Sequence, residues 1–405
     1  MSNSARTSFV PKEQFPSWEF LTALPHAKAL WKQGTAKPHF FFWARNAIYY
    51  ALKALGVSPG AHVLLPAYLC RAAVEPFEVF GASVGFYGVG RDCEPDFTEM
   101  EAKITARTEA IMAVHYFGFP QRIQDFRNVC DRRGLALIED CAHVLGSAVS
   151  GHSLGTMGDA SVFSWRKFLP LYDGGELRLR KTSGDLPVEW HKETLPFTLK
   201  VTKCLLDRTL EQSASPAAKA FSRGIESLKR AWRHLTRTPE SAPLFELDSN
   251  RADFDPRLLD QKMSRASRWL LVHSDLAAIL SRRRKNYSFL LENLRAVSGI
   301  TPLHHKLPVD VCPWVFPLCF DGMSDAHLLL QREGIPAVTW GGVRPADVDP
   351  AVFPAADFLY DNLVFLPVHQ NLGSEALDAI VAAVRRVRGT AAPQAAQSVS
   401  RLARQ

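Results

Sequence analysis

The sequence lacks the marks of a secreted, membrane-spanning or metal-stapled protein. Its seven cysteines (Cys70, Cys93, Cys130, Cys141, Cys204, Cys312 and Cys319) are odd in number and scattered, with no Cys-x-x-Cys pair. Neither a disulfide framework nor a zinc site is therefore indicated, and reduced cytosolic thiols are the expectation. No stretch approaches the roughly 20 uncharged apolar residues that a membrane span needs. The polar segment from Met1 to Pro16 has no apolar signal core, which places the protein in the cytoplasm. No internal repeat is visible. Acidic residues are in deficit, 41 against 48 Lys and Arg, for a formal net charge of +7. That balance suits a nucleic acid, an anionic membrane or an anionic small substrate, but no recognised nucleic-acid module accompanies it, so no nucleic-acid partner is expected.

What is present is length and ordinary globular composition. At 405 residues and 47% hydrophobic content the chain predicts two packed domains. AIYYALKAL over Ala47 to Leu55 has helical apolar spacing, and Gly56 with Pro59-Gly60 stops it. Strands are predicted at His62 to Leu65, Ser83 to Tyr87, Ala110 to Val114, Ala136 to Ile138 and Leu177 to Leu179. The first four alternate with a Pro66-opened helical segment and helices near Met100 to Ile104 and Ile123 to Arg133. Such alternation predicts βαβ units and a mainly parallel sheet covered on both faces, with ligands beyond the carboxyl ends of the strands.

The expected division is an N-terminal arm over 1–20, a large domain over 21–265 and a smaller C-terminal α/β domain over 266–389 entered by a long linking helix from about Ala266 to Leu294. An amphipathic helix, Ser374 to Val387, closes that domain, and a tail over 390–405, rich in Ala, Gln and Ser, is expected to be disordered. Within the large domain, about 185–250 looks like a basic helical insertion. Phe221, Ile225, Leu228, Trp232 and Leu235 fall on one stripe there, with Lys219, Arg223, Lys229, Arg230, Arg233 and Arg237 around them. A solvated helix packed by its apolar face is the plain interpretation, and a peripheral contact with an anionic membrane or a polyprenyl carrier is the side hypothesis.

The informative segment is Leu137 to Gly175. Asp140 ends a buried strand, where an unpaired carboxylate is costly, so a cationic partner is expected. A protonated pyridine nitrogen is one such partner, and holding that proton turns a pyridoxal ring into an electron sink. An N-cap or a local ion pair would explain Asp140 taken alone. Lys167 is flanked by Trp165, Phe163 and Arg166. Burial and like charge disfavour its ammonium form and so favour the neutral amine that Schiff-base chemistry needs, although most lysines are simply on the surface. Ser164 offers a hydroxyl to a phosphate oxygen, and Gly174-Gly175 would let backbone approach a cofactor. Ala44-Arg45-Asn46 opens the first helix, where free N–H groups and an arginine make an anion site, or an ordinary helix start. His143, one turn past Asp140, is placed to contact a cofactor ring, or serves as a structural histidine. Trp340, Arg344 and His369 from the C-terminal unit face either the substrate or the core.

At these residues the sequence resembles the DegT/DnrJ/StrS family of pyridoxal-phosphate-dependent sugar aminotransferases. The likeness runs through ARNAIYYALKALGVSPGAHVLLPAY at 44–68, ITARTEAIMAVHYFGFP at 104–120, LIEDCAHVLGSAVSGHSLGTMGDASVFSWRK at 137–167 and FLPVHQNLGSEALDAI at 365–380. It implies the fold-type I aminotransferase architecture: a large domain with a mainly parallel seven-stranded type of sheet sandwiched by helices, plus a smaller C-terminal α/β domain. It also implies pyridoxal 5′-phosphate as cofactor, a keto sugar as amino acceptor, glutamate as the donor expected, and a homodimer with shared active sites. By the same resemblance Lys167 matches the Schiff-base lysine, Asp140 the pyridine-nitrogen partner, His143 a cofactor-contacting residue, Ser164 a phosphate ligand, and Ala44 and Arg45 the phosphate-binding helix start. The sequence departs from the family in four places. Ala44-Arg45 stands where Gly-Thr is common, and the step from Ser164 to Lys167 is about two residues short. Cys70 stands where a ring-stacking aromatic is usual, so Tyr68 is taken as its replacement. Asp260-Gln261-Lys262-Met263 aligns loosely with the Asn-Tyr-Arg-Met stretch that reaches a partner's site. Two alternatives stay open: a cofactor-binding regulatory or scaffold homologue without turnover, and a pyridoxal-phosphate enzyme of different reaction type.

Overall fold

The computed structural model describes residues 9–22, 37–181, 186, 188–212, 227 and 254–402. The stripe at Phe221 to Leu235 lies outside them, and so do most of the insertion and the first eight residues.

Seven strands make the main sheet: β1 (His39–Phe41), β2 (His62–Pro66), β3 (Ser83–Tyr87), β4 (Thr108–Val114), β5 (Ala136–Cys141), β8 (Ala160–Ser164) and β9 (Gly175–Leu179). The short strands β6 (Ala148–Val149) and β7 (His152–Ser153) form a separate hairpin. The sheet order is β1-β9-β8-β5-β4-β2-β3. Strands β3, β2, β4, β5 and β8 pair in parallel, while β9 and then β1 join antiparallel. Parallel strands buried on both faces read as unbroken apolar runs. Residues 110–114 (AIMAV) and 63–65 (VLL) obey this, since all are buried.

Helices α1 (Ala44–Ala54), α2 (Arg71–Phe80), α3 (Phe97–Ala102) and α4 (Ile123–Arg133) connect the strands. α4 stops at Gly134, whose φ of 68° is the left-handed cap that glycine adopts at least cost. The sequence places the start of α1 at Ala44, as observed, but misses β1 and β8. Strand β1 has only three residues, too few for a period to show.

Beyond the sheet, α5 (Leu195–Gln212) precedes α6 (Arg265–His273) and α7 (Leu276–Leu294). The single long linking helix expected from about Ala266 is thus two. Ser274 is extended (ψ 134°), and the Asp275 carboxylate accepts the Ala278 N–H at 2.9 Å, capping a new helix. The C-terminal unit holds the antiparallel sheet of β10 (Ile300–Pro302), β11 (Val315–Phe320) and β12 (Leu363–Pro367), with α8 (Ala326–Arg332), α9 (Pro354–Asn362) and α10 (Ser374–Leu402). α10 runs through the stretch expected as an unstructured tail, where Ala, Gln and Arg are good helix formers. One apolar core runs from β2 and β4 into β11, β12 and α10. The two sheets therefore share one interior, and the cleft between them is walled by both. Among the described residues no helix is long and apolar enough to cross a membrane.

Candidate active site

Neighbouring residues of a strand point to opposite faces, and at the end of β5 this separates two carboxylates. Glu139 turns to His115 Nε2 at 3.0 Å and accepts the N–H groups of Gly155 (2.9 Å), Met157 (2.7 Å) and Gly158. Its oxygens are filled. His115, Glu139 and Cys141 are close enough together to suggest metal ligands, but those four donors already use the carboxylate, so the group reads as a polar staple. Asp140 turns to a cavity of about 280 Å³ at the carboxyl end of the sheet, near the lower limit of small-molecule sites. Among the described residues its carboxylate accepts one hydrogen bond, from the Ala142 N–H 2.8 Å away. Burial raises the Asp140 pKa, and the charge of Lys167 opposes that rise.

Strand β8 lies parallel beside β5 and pairs Val162 with Asp140 and Phe163 with Cys141. It delivers Ser164 to the same edge, and the tight turn Trp165–Lys167 follows. The turn is fixed from below by the Trp165 indole N–H, which donates to Glu176 at 2.6 Å. Lys167 then projects into the cavity that Asp140 lines. Burial is the main cause that brings its pKa down to about 8, with Arg166 adding to it and Asp140 opposing. A good fraction of the amine is therefore neutral near physiological pH.

Ala44 and Arg45, at the first turn of α1, line this cavity too. Gly175 makes that possible. A Cβ there would sit 2.2 Å from the Trp43 carbonyl carbon and 2.5 Å from the Ala44 nitrogen, so only glycine lets β9 pass the start of α1. The closeness expected between this glycine pair and a cofactor is taken up by backbone. Arg45 stacks on the Trp43 ring and pairs with Glu75 at 3.4 Å.

Two of the anticipated residues lie elsewhere. Tyr68 is buried among Tyr116, Trp340 and Tyr360 and is no part of the cavity wall, because the chain turns at Leu69 and presents Cys70 instead. His143 is buried behind Trp314, with ring centroids 4.1 Å apart and 13° between planes. Its Nδ1 accepts the Phe117 N–H at 3.3 Å, and its Nε2 is buried without a partner. Trp314, just ahead of β11, is the aromatic that faces the cavity, with the Lys167 Nζ 4.7 Å from its centroid. Sequence reasoning missed it because it lies 147 positions from Lys167 and carries no local motif. Trp340 and His369 also line the cavity, whereas Arg344 is held by Asp357 at 2.7 Å over the Tyr360 ring. The stretch Asp260 to Met263 packs on β1, where the Phe42 N–H donates to the Gln261 carbonyl at 2.9 Å.

Two further contributions were not foreseen. Residues 12–14 of the N-terminal arm line the cavity, tied down by Gln14 Nε2 to the carbonyls of Arg166 (2.7 Å) and Leu169 (3.1 Å). Arg166, Arg208 and Arg283 bring three more cations to the wall. Arg283 is buried without a carboxylate and donates to Gln370 Oε1 (3.1 Å) and to the carbonyls of Trp314 (3.0 Å), Phe168 (3.3 Å) and Lys167 (3.4 Å).

This strand-edge segment is also where the chain matches known proteins. Residues 44–179 match the model of the DegT/DnrJ/EryC1/StrS aminotransferase family. Among curated proteins, GDP-perosamine synthase of Vibrio cholerae is 39% identical over 120 residues, 29% of this chain and 33% of that protein. The dTDP-3-amino-3,4,6-trideoxy-alpha-D-glucose transaminase of Micromonospora megalomicea subsp. nigra is 37% identical over 134 residues, 32% of this chain and 36% of that protein. The chain thus spans about a third of the length of these relatives. Among solved structures, the putative sugar aminotransferase Spr1654 of Streptococcus pneumoniae in its PMP form gives a TM-score of 0.67 at 18% identity, covering 96% of this chain and 99% of that one. The aminotransferase TlmJ of Streptoalloteichus hindustanus gives 0.63 at 19%, covering 95% and 100%. The fold of these structures therefore extends over nearly the whole chain, whereas the family model matches the segment that carries Ala44, Asp140, Ser164 and Lys167.

Proposed function

We propose that this chain is a pyridoxal-5′-phosphate-dependent aminotransferase that moves an amino group, with glutamate as donor, onto a nucleotide-linked keto sugar in glycan biosynthesis. The observation that carries it is the meeting of Lys167 and Asp140 in one cavity, drawn from adjacent parallel strands. The residues fit the cofactor. A buried carboxylate with spare acceptor capacity faces the cavity, and so does an amine with no ion-pair partner among the described residues. A serine hydroxyl, a helix start and an excess of arginine suit a phosphate.

When bound, pyridoxal phosphate supplies an aldehyde to the amine and a ring that draws electrons from the substrate carbon. Asp140 would hold the proton on the ring nitrogen, its low-dielectric setting strengthening that charge-assisted bond. Lys167, as a neutral amine, would take the proton from the donor carbon and return one to the acceptor. Trp314 and the arm at 12–14 keep water from that exchange. The cationic wall favours an anionic substrate. On this reading the enzyme works in the cytoplasm as a homodimer whose subunits share active sites.

Purified protein should be yellow, and borohydride should fix the cofactor on the peptide holding Lys167. Glutamate should bleach the visible band as the pyridoxamine form accumulates. A Lys167→Ala chain that keeps the band refutes the role given to Lys167, and a coloured wild type that glutamate leaves unchanged is the non-catalytic homologue instead.

A further inference from the structure

The cavity holds a guanidinium, that of Arg166, with no ion-pair partner among the described residues, Glu13 acting on it only at longer range. Two other arginines, Arg45 and Arg208, stand close enough to Arg166 to perturb it, and both have carboxylate partners: Arg45 pairs with Glu75 at 3.4 Å, and Arg208 with Glu13 at 3.2 Å. Arg166 has neither an ion pair nor a side-chain hydrogen bond among the described residues, and it lines the cavity. Burial, and then the like charges of Arg45 and Arg208, bring its pKa down to about 10. A cation so placed is costly unless an anion completes it.

We infer that Arg166 is the principal cation for a phosphoryl group in this cavity, and that the group is the 5′-phosphate of the cofactor. The assignment rests on the proposed function. On the pyridoxal ring the aldehyde and the phosphate arm sit on adjacent carbons. Arg166 and Lys167 are adjacent residues of one tight turn, so a single turn can serve both substituents. Ser164 opens that turn, and Arg45 faces the same cavity. Planar, bidentate donation suits a phosphate dianion.

The test uses the full chain. Pyridoxal phosphate and pyridoxal, which differ only in the phosphoryl group, are titrated into wild type, Arg166→Met and Arg166→Lys, with uptake followed by visible absorbance. Arg166→Met is expected to weaken the phosphorylated compound by about ten- to a hundredfold and to leave pyridoxal unchanged, with Arg166→Lys between. Equal losses for both compounds, or none for either, overturn the assignment. A second measurement needs no variant. Inorganic phosphate should shield Arg166 from phenylglyoxal in peptide mapping of the wild type, and an Arg166 labelled equally with and without phosphate overturns it too. In cofactor-loaded protein Arg166 should already be shielded. If shielding appears there only on adding uridine diphosphate, the guanidinium serves the substrate and the cofactor assignment falls. A wild type that takes up neither compound sinks the proposed function as well, whereas normal uptake by wild type and variants alike sinks this inference alone.

Discussion

Asp140 and Lys167 are 27 positions apart in sequence, yet they share one cavity and resist burial in opposite senses. Burial raises the pKa of the carboxylate and brings the amine down to about 8, and each charge holds back the shift of the other.

Removing the carboxylate should therefore move the amine. In Asp140→Asn the ammonium loses its counter-charge, its charged form is less favoured, and its pKa falls below the present value of about 8, by about one unit or more. Competitive acetylation across pH, with the Lys167 peptide quantified by mass spectrometry, reads the midpoint. An unchanged or higher midpoint would show that the two groups do not interact.

Arg283 links the Lys167 turn to the C-terminal unit, because one guanidinium bonds the carbonyls of Lys167 and Phe168 on one side and Trp314 and Gln370 on the other. Arg283→Ala strands those acceptors in a buried place and should cost about 3 kcal/mol or more of unfolding free energy. Arg283→Lys should recover little, since a point donor cannot span the same set. Urea denaturation measures both, and a loss below about 1 kcal/mol would mean that the turn does not depend on it.

Glu139 carries a pH signature. Burial by itself would raise its pKa, but His115 and the N–H groups of Gly158 and Gly155 outweigh burial and hold it below the usual carboxylate range. A depressed folded-state pKa contributes stability that is present at neutral pH and lost as pH falls through that pKa. Glu139→Gln should thus cost about 2 kcal/mol near pH 7, with the gap from wild type closing under acid. Melting temperatures across pH test this, and a gap that stays constant or widens on acidification contradicts it.

Much of the site was legible in the sequence because strand ends are local. The apolar run LALI followed by Glu139-Asp140 announces a buried parallel strand ending in carboxylates, whereas Lys167 was legible by its apolar and basic neighbours and not by β8, which the sequence did not reveal. Tyr68 and His143 were misplaced for a different reason. Which side of a turn a side chain takes depends on what packs against it, and the packing partners (Trp340 and Tyr360 for Tyr68, Trp314 for His143) come from the far end of the chain.

The sequence by itself determined the alternation of strands and helices through β5, the carboxyl-edge position of Asp140, and the chemistry of Asp140 and Lys167, since periodicity, turn residues and side-chain type act over a few positions. Only the tertiary structure decided that Arg166 would be left without a carboxylate, that Trp314 would cover His143, and that residues 12–14 would close the wall beside Lys167. Those outcomes come from packing between segments more than a hundred positions apart, where shape and charge complementarity select partners that no local pattern encodes.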